Sequence, residues 1–212
     1  MKFYLLFLII ASYQLFSQTV RSSESLWDQI RLNSNLQYDS DRLEIKKAAD
    51  KYISNQYLIN RLSKNGQRYL YYTVKEGLRK NLPVELSLIP FVESQFDPYA
   101  RSATGASGIW QFIPSTAKEN GLKKNWWYDG RRDIVASTEA AYGFLTKLYE
   151  RYGDWLIAIA AYNAGPSRIR KEIEKNKKKG LPTDFWSLNL PRETRAYVCL
   201  LYTSDAADDD AC

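Results

Sequence analysis

The chain has 212 residues, enough for one compact domain with a short appendix but not for two large ones. Hydrophobic residues at 45% and aromatics at 14% supply a core and exclude wholesale disorder, and the lack of any apolar run of about 18 residues excludes a bundle of membrane helices. Histidine is absent, which removes Ser-His-Asp and Cys-His nucleophiles and His-ligated zinc, while a net charge of +6 suits an anionic partner.

Met1-Lys2 followed by the apolar residues 3–16 has the form of a secretory signal, so residues 1–17 are expected to be an export segment with cleavage near Ser17. No cysteine follows to carry a lipid. Cys199 and Cys212 are the two cysteines, so the body is expected to hold without disulfides or cysteine metal sites. Residues 18–80 are expected to be an N-terminal helical extension, with Ile45, Ala49, Tyr52, Ile53, Leu58, Leu62, Tyr69 and Tyr72 at helical spacing and Gly66 as punctuation.

Pro83 stands where a first helical turn tolerates it and predicts a helix over 84–94 with Pro90 kinking its end. A Ser-, Thr- and Gly-rich loop follows to Gly108, Pro114 opens a short helix ending near Gly121, and residues 126–130 read as a turn. Residues 134–152 predict an amphipathic helix and 155–163 a mostly buried one, stopped by Gly165-Pro166. A basic helix over 167–179 and a last helix from Pro191 complete a mainly α domain expected over 81–198. Residues 199–212 are small and acidic in character. They read as a tail foreign to the fold, either translated adapter read-through or a disordered acidic tail.

Glu93 is the most informative residue. Leu82, Leu86, Ile89 and Glu93 fall at i, i+4, i+7 and i+11, in line on a helix whose other face (Val84, Leu88, Phe91) is also apolar. Burial there disfavours the ionised form and raises a Glu pKa from about 4.3 toward roughly 6, the profile of a general acid. A carboxylate neutralised by a neighbouring cation such as Arg101 fits the position equally. Ser94, Ser102, the run Gly105-Ala106-Ser107-Gly108 and Gln111 place hydroxyls, tight turns and an amide close behind it, groups that suit a hydroxyl-rich ligand. Each also has a plain reading as turn or surface chemistry.

Val-Glu-Ser (92–94), Ser102, Gly-Ala-Ser-Gly-Ile-Trp-Gln (105–111) and Ala-Tyr-Asn-Ala-Gly (161–165) resemble the motifs of soluble-lytic-transglycosylase catalytic domains, glycoside hydrolase family 23. Residues 126–133, 182–186 and 191–198 resemble its membrane-bound lytic murein transglycosylase D branch. The resemblance covers about residues 40–198. It implies a goose-lysozyme-like helical domain with an N-terminal helical extension. It also implies cleavage of the MurNAc-GlcNAc β-1,4 bond of peptidoglycan to a 1,6-anhydro end, with no metal or organic cofactor.

By the same resemblance Glu93 acts as acid and then base. Ser102, Gln111, Tyr162, Asn163 and Tyr197 contact substrate or line the cleft, and Glu193 orders the site. A hydrolase pairs two carboxylates, whereas intramolecular attack needs no water activator, and Asp97 is the nearest second carboxylate. Tyr-Asn-Ala-Gly-Pro also serves as a plain helix stop.

Trp126 and Trp127 are assigned to the core rather than to sugar stacking. The run 168–179 carries seven Lys or Arg against Glu172 and Glu174. It reads as a solvated face that favours association with an anionic envelope surface. Nucleic-acid binding is the alternative for this run alone, and the export signal argues against it. The expectation is therefore an exported enzyme of the bacterial periplasm or cell envelope whose partner is the peptidoglycan glycan strand, with no nucleic acid. A hydrolytic muramidase of the same fold and an inactive peptidoglycan-binding module are the alternatives.

Overall fold

The computed structural model describes residues 26–34, 36, 43, 45–47, 54–56, 60 and 65–203. The expected export segment, much of the expected extension and the tail from residue 204 lie outside them. The chain divides into two units, Met1–Asn33 and Ser34–Cys212. The first contains helix α1, Leu26–Leu32. The second contains everything that follows.

Helix α2, Gln67–Arg79, leads into a 3-10 helix, Val84–Leu88, and then α3, Ile89–Ser94. The single helix expected over 84–94 is thus two. Proline has no N–H to donate and its ring crowds the carbonyl four residues back, so Pro90 sits in the first turn of a new helix instead of inside a longer one. α3 ends after only six residues because Gln95 and Phe96 both adopt left-handed backbone, at φ 55° and 57°. That conformation is unfavourable for a bulky residue, and complete burial of Phe96 offsets it.

α4, Pro114–Glu119, and α5, Ile134–Tyr152, follow the expected order, α5 beginning where the Asp133 carboxylate accepts the Ala136 N–H. Asp154 caps α6, Trp155–Ala164, in the same way. α6 is apolar all round, with residues Ile157, Ala158, Ile159, Ala160 and Ala161 buried, and it takes the central place: α5, α7 (Pro166–Lys178) and α8 (Arg192–Thr203) pack around it. Its alanines let those neighbours approach closely. A short 3-10 helix, Phe185–Ser187, also rests on α6.

No strand forms among the described residues, where β contacts are confined to isolated bridges. Trp110, Tyr142, Phe96, Leu86, Ile89 and Leu145 fill the core, and its two largest polar-tipped side chains are paired: Trp110 Nε1 donates to Thr138 Oγ1 at 3.0 Å and Tyr142 Oη to Thr73 O at 2.6 Å.

Two expectations fail here. α8 runs five residues past Val198, burying Cys199, Leu200 and Leu201, because those apolar side chains continue the face that α8 turns inward. Trp126 and Trp127 are not core: they are 88% and 90% exposed, since they stand on a turn that points away from every packed helix face.

Candidate active site

The short helix α3 delivers Glu93 at its penultimate position, where it is largely buried. Desolvation is the dominant influence on its carboxyl and raises the pKa from 4.5 to about 7. The Tyr197 hydroxyl, which donates to Glu93 Oε1 at 2.7 Å, works in the opposite direction. No Lys or Arg among the described residues pairs with Glu93. Arg101, the alternative partner, is exposed. The acid is therefore held near half-protonation at neutral pH, which suits a group that must give up a proton and recover it.

Two tyrosines close over it. Tyr197 comes from α8, and Tyr162, from the last turn of α6, donates its hydroxyl to Trp110 O at 2.7 Å. Burial, then the charge of Glu93, holds both phenols well above their ordinary pKa, so both stay protonated. Phe112 and Phe144 pack edge-on or tilted against the Tyr162 ring and fix its position.

Ser94, next to the acid, ties α3 to the following loop by donating to Ile109 O at 2.9 Å and Pro90 O at 3.0 Å. Within that loop, Ser102 Oγ accepts the Ala106 N–H at 3.0 Å and shares a hydrogen bond with Thr104. Gln111, at φ 50°, donates to Gly108 O at 2.8 Å. Ser102 and Gln111 thus shape the loop through their own turns. Asn163 lies at the end of α6 beside Tyr162, and its amide makes no hydrogen bond among the described residues. Glu193 sits exposed on the first turn of α8, four residues before Tyr197, and the structure does not bring it to Glu93. Asp97 accepts the Tyr99 N–H at 2.8 Å in a local turn.

Sequence reasoning missed two residues. Arg131, almost fully buried, pairs with both Asp129 oxygens at 2.6 and 2.9 Å and donates to Gly105 O and Phe112 O, pinning the Ser102–Gln111 loop from behind. The Asp-x-Arg spacing was its visible signal. Glu85 is buried too, accepting from Ser34 Oγ at 2.6 Å and Leu36 N–H at 2.9 Å. It satisfies the same criterion that singles out Glu93, a carboxylate within an apolar run.

Among the described residues no group of three or more Cys, Asp or Glu is placed to hold a metal ion, and no helix is long and apolar enough to cross a membrane. A surface groove of about 300 Å³ between Lys171, Glu174, Lys175, Lys178 and Lys179 on α7 and the turn after it has charged walls and lies apart from Glu93.

Helices wrapped about one apolar helix, with the acid Glu93 on a short helix beside it, define a lysozyme-like helical fold. The 70 kDa soluble lytic transglycosylase of Escherichia coli shares it, with a TM-score of 0.51 at 22% identity over 92% of this chain and 33% of that one. An inactive mutant of the lytic transglycosylase Slt of Pseudomonas aeruginosa gives 0.51 at 22% identity, over 95% of this chain and 34% of that one.

The Transglycosylase SLT domain model matches residues 71–184, and the chain belongs to that family. The match begins inside the segment expected as an extension and stops before α8. Membrane-bound lytic murein transglycosylase D of Escherichia coli strain K12 is 45% identical over 161 residues, 76% of this chain and 35% of its own length. Membrane-bound lytic murein transglycosylase F of Desulfosudis oleivorans is 31% identical over 108 residues, 48% of this chain and 22% of its own. The chain therefore spans about a third, or less, of the length of these relatives.

Proposed function

We propose that the chain is a peptidoglycan lytic transglycosylase that cleaves the MurNAc-GlcNAc β-1,4 bond and leaves a 1,6-anhydro-MurNAc end, with Glu93 serving both steps. The observation that carries the reading is one carboxyl at a pKa of about 7 whose side-chain partner is a tyrosine, with no second carboxylate against it among the described residues. Protonated Glu93 gives its proton to the glycosidic oxygen as the C1–O4 bond breaks. The resulting carboxylate takes the proton of the C6 hydroxyl while O6 bonds to C1. Atoms balance without water, so no second carboxylate is required to activate one.

Tyr197 positions the carboxyl and, with a phenol that stays protonated, steadies it while it is charged. Tyr162 holds the Trp110 backbone through its hydroxyl. Ser102, Gln111 and Asn163 would meet the sugar, the first two through a loop they themselves shape. For Glu193, sharing a turn of α8 with Tyr197 is the geometric basis for an ordering role. Relatives named as membrane-bound support an envelope location, and export through residues 1–17 is part of the proposal.

Digestion of purified sacculi followed by mass spectrometry tests it. Anhydro ends are expected. Reducing ends 18 mass units heavier, the mass of one water, would assign hydrolysis instead, and absence of cleavage would leave a binding module. Glu93→Gln keeps the shape of the side chain and the Tyr197 contact but donates no such proton, so turnover should fall by about 10²–10⁴.

A further inference from the structure

The turn at residues 125–130 has no part in this chemistry, and it carries the two most exposed large hydrophobic side chains among the described residues. Trp126 and Trp127 are 88% and 90% exposed and Tyr128 is 40% exposed. Adjacent indoles left in water are unfavourable for a free chain and mark a surface that is covered in use.

The turn is rigidly built. Asn125 Oδ1 accepts the N–H groups of Trp127 at 2.8 Å and Tyr128 at 2.7 Å, and Asn125 N–H donates back to Tyr128 O at 2.8 Å. Gly130 N–H donates to Lys123 O at 2.8 Å, and Tyr128 Oη to Asp133 Oδ2 at 3.0 Å. The rings are thus presented by a fixed backbone, so ordering them on a ligand takes little entropy.

Through Arg131, which pairs with Asp129, the same turn is fastened to Gly105 O inside the stretch between Ser102 and Gln111 and to Phe112 O just after it. Arg132 Nε adds a bond to Ser107 Oγ at 3.2 Å. The aromatic turn and the loop assigned to the sugar therefore form one hydrogen-bonded unit. The charges in and beside it favour an anion: Asp129 is paired with Arg131, which leaves exposed Lys118, Lys123, Lys124 and Arg132 against Glu119 and Asp133.

We propose that Trp126 and Trp127 form a second glycan-binding subsite, outside the bond-cleaving centre, for an N-acetylhexosamine segment bearing carboxylates. The C–H face of a pyranose ring is apolar and covers an indole, while the surrounding lysines meet the acidic substituents. The subsite engages strand beyond the reacting disaccharide and rests on the glycan reading above.

The test is equilibrium binding in a Glu93→Gln background, with and without Trp126→Ala plus Trp127→Ala. The probes are a peptidoglycan tetrasaccharide, long glycan strands and vesicles of phosphatidylglycerol. The expected result is that the double change weakens long-strand affinity by about tenfold more than tetrasaccharide affinity. A Trp126→Phe, Trp127→Phe protein should recover part of the loss. Undiminished long-strand affinity, whatever the vesicles show, overturns the proposal, and loss of vesicle binding alone would assign the turn to lipid. A wild type that holds strands through these indoles yet releases no anhydro ends would sink the catalytic reading and leave the subsite standing.

Discussion

Glu93 and Glu85 lie eight residues apart, both within one apolar run, and do different work because of what reaches them from elsewhere in the chain. Glu85 accepts from Ser34 and Leu36, 51 and 49 residues away, and so fastens an early segment to the turn ahead of the catalytic helix. Glu93 is met by a phenol 104 residues away, which favours its carboxylate but does not outweigh burial. Tyr197→Phe removes that support. The Glu93 pKa then climbs further above about 7, and because the reaction begins from the protonated acid, the alkaline limb of kcat/KM should move to higher pH in a pH-rate profile. An unmoved limb would mean that the phenol does not act on Glu93. Local pattern in the sequence is enough to mark a buried carboxyl. It does not separate these two, since the separating contacts are remote and leave no trace in spacing.

Among the elements, the long helix over 134–152 was legible from its amphipathic pattern, and the structure adds the Asp133 cap and ends it at Gly153 in left-handed conformation. The stretch 84–94 was half legible. Its apolar run signals burial whether the backbone is 3-10 or α, so only Pro90 told of the break. The turn at 126–130 was read as a turn but its indoles as core, because residue type predicts burial only where periodicity also supplies a packed face. The loop from Ser102 to Gln111 and the turn at Arg131 fit through Gly108, at φ 82°, where an added Cβ would lie 1.7 Å from Arg131 O. Neither backbone can retreat without losing the Arg131 bonds. Gly108→Ala should therefore destabilise the protein by about 3 kcal/mol, seen as a lower midpoint in urea with an unchanged slope.

For the molecule as a whole, the acid opposes the fold that holds it. Its pKa of 4.5 in an open chain becomes about 7 when folded, so the native state binds the extra proton between those values and loses stability as pH rises through that window. By about pH 8 the penalty is nearly complete, on the order of 3 kcal/mol. Glu93→Gln has no charge to bury. It should melt roughly 5–10 °C above the wild type at pH 8 and close to it at pH 4, and equal midpoints at pH 8 would show that the carboxyl is not desolvated. The six residues of α3, closed by Pro90 on one side and the left-handed pair Gln95 and Phe96 on the other, carry that burden. A lone turn and a half of helix does not persist in water, so this one exists only while its surroundings hold it. The aim of the proton donor is thus set by packing and not by the helix's own hydrogen bonds, so substitutions that loosen that packing should lower activity as well as stability.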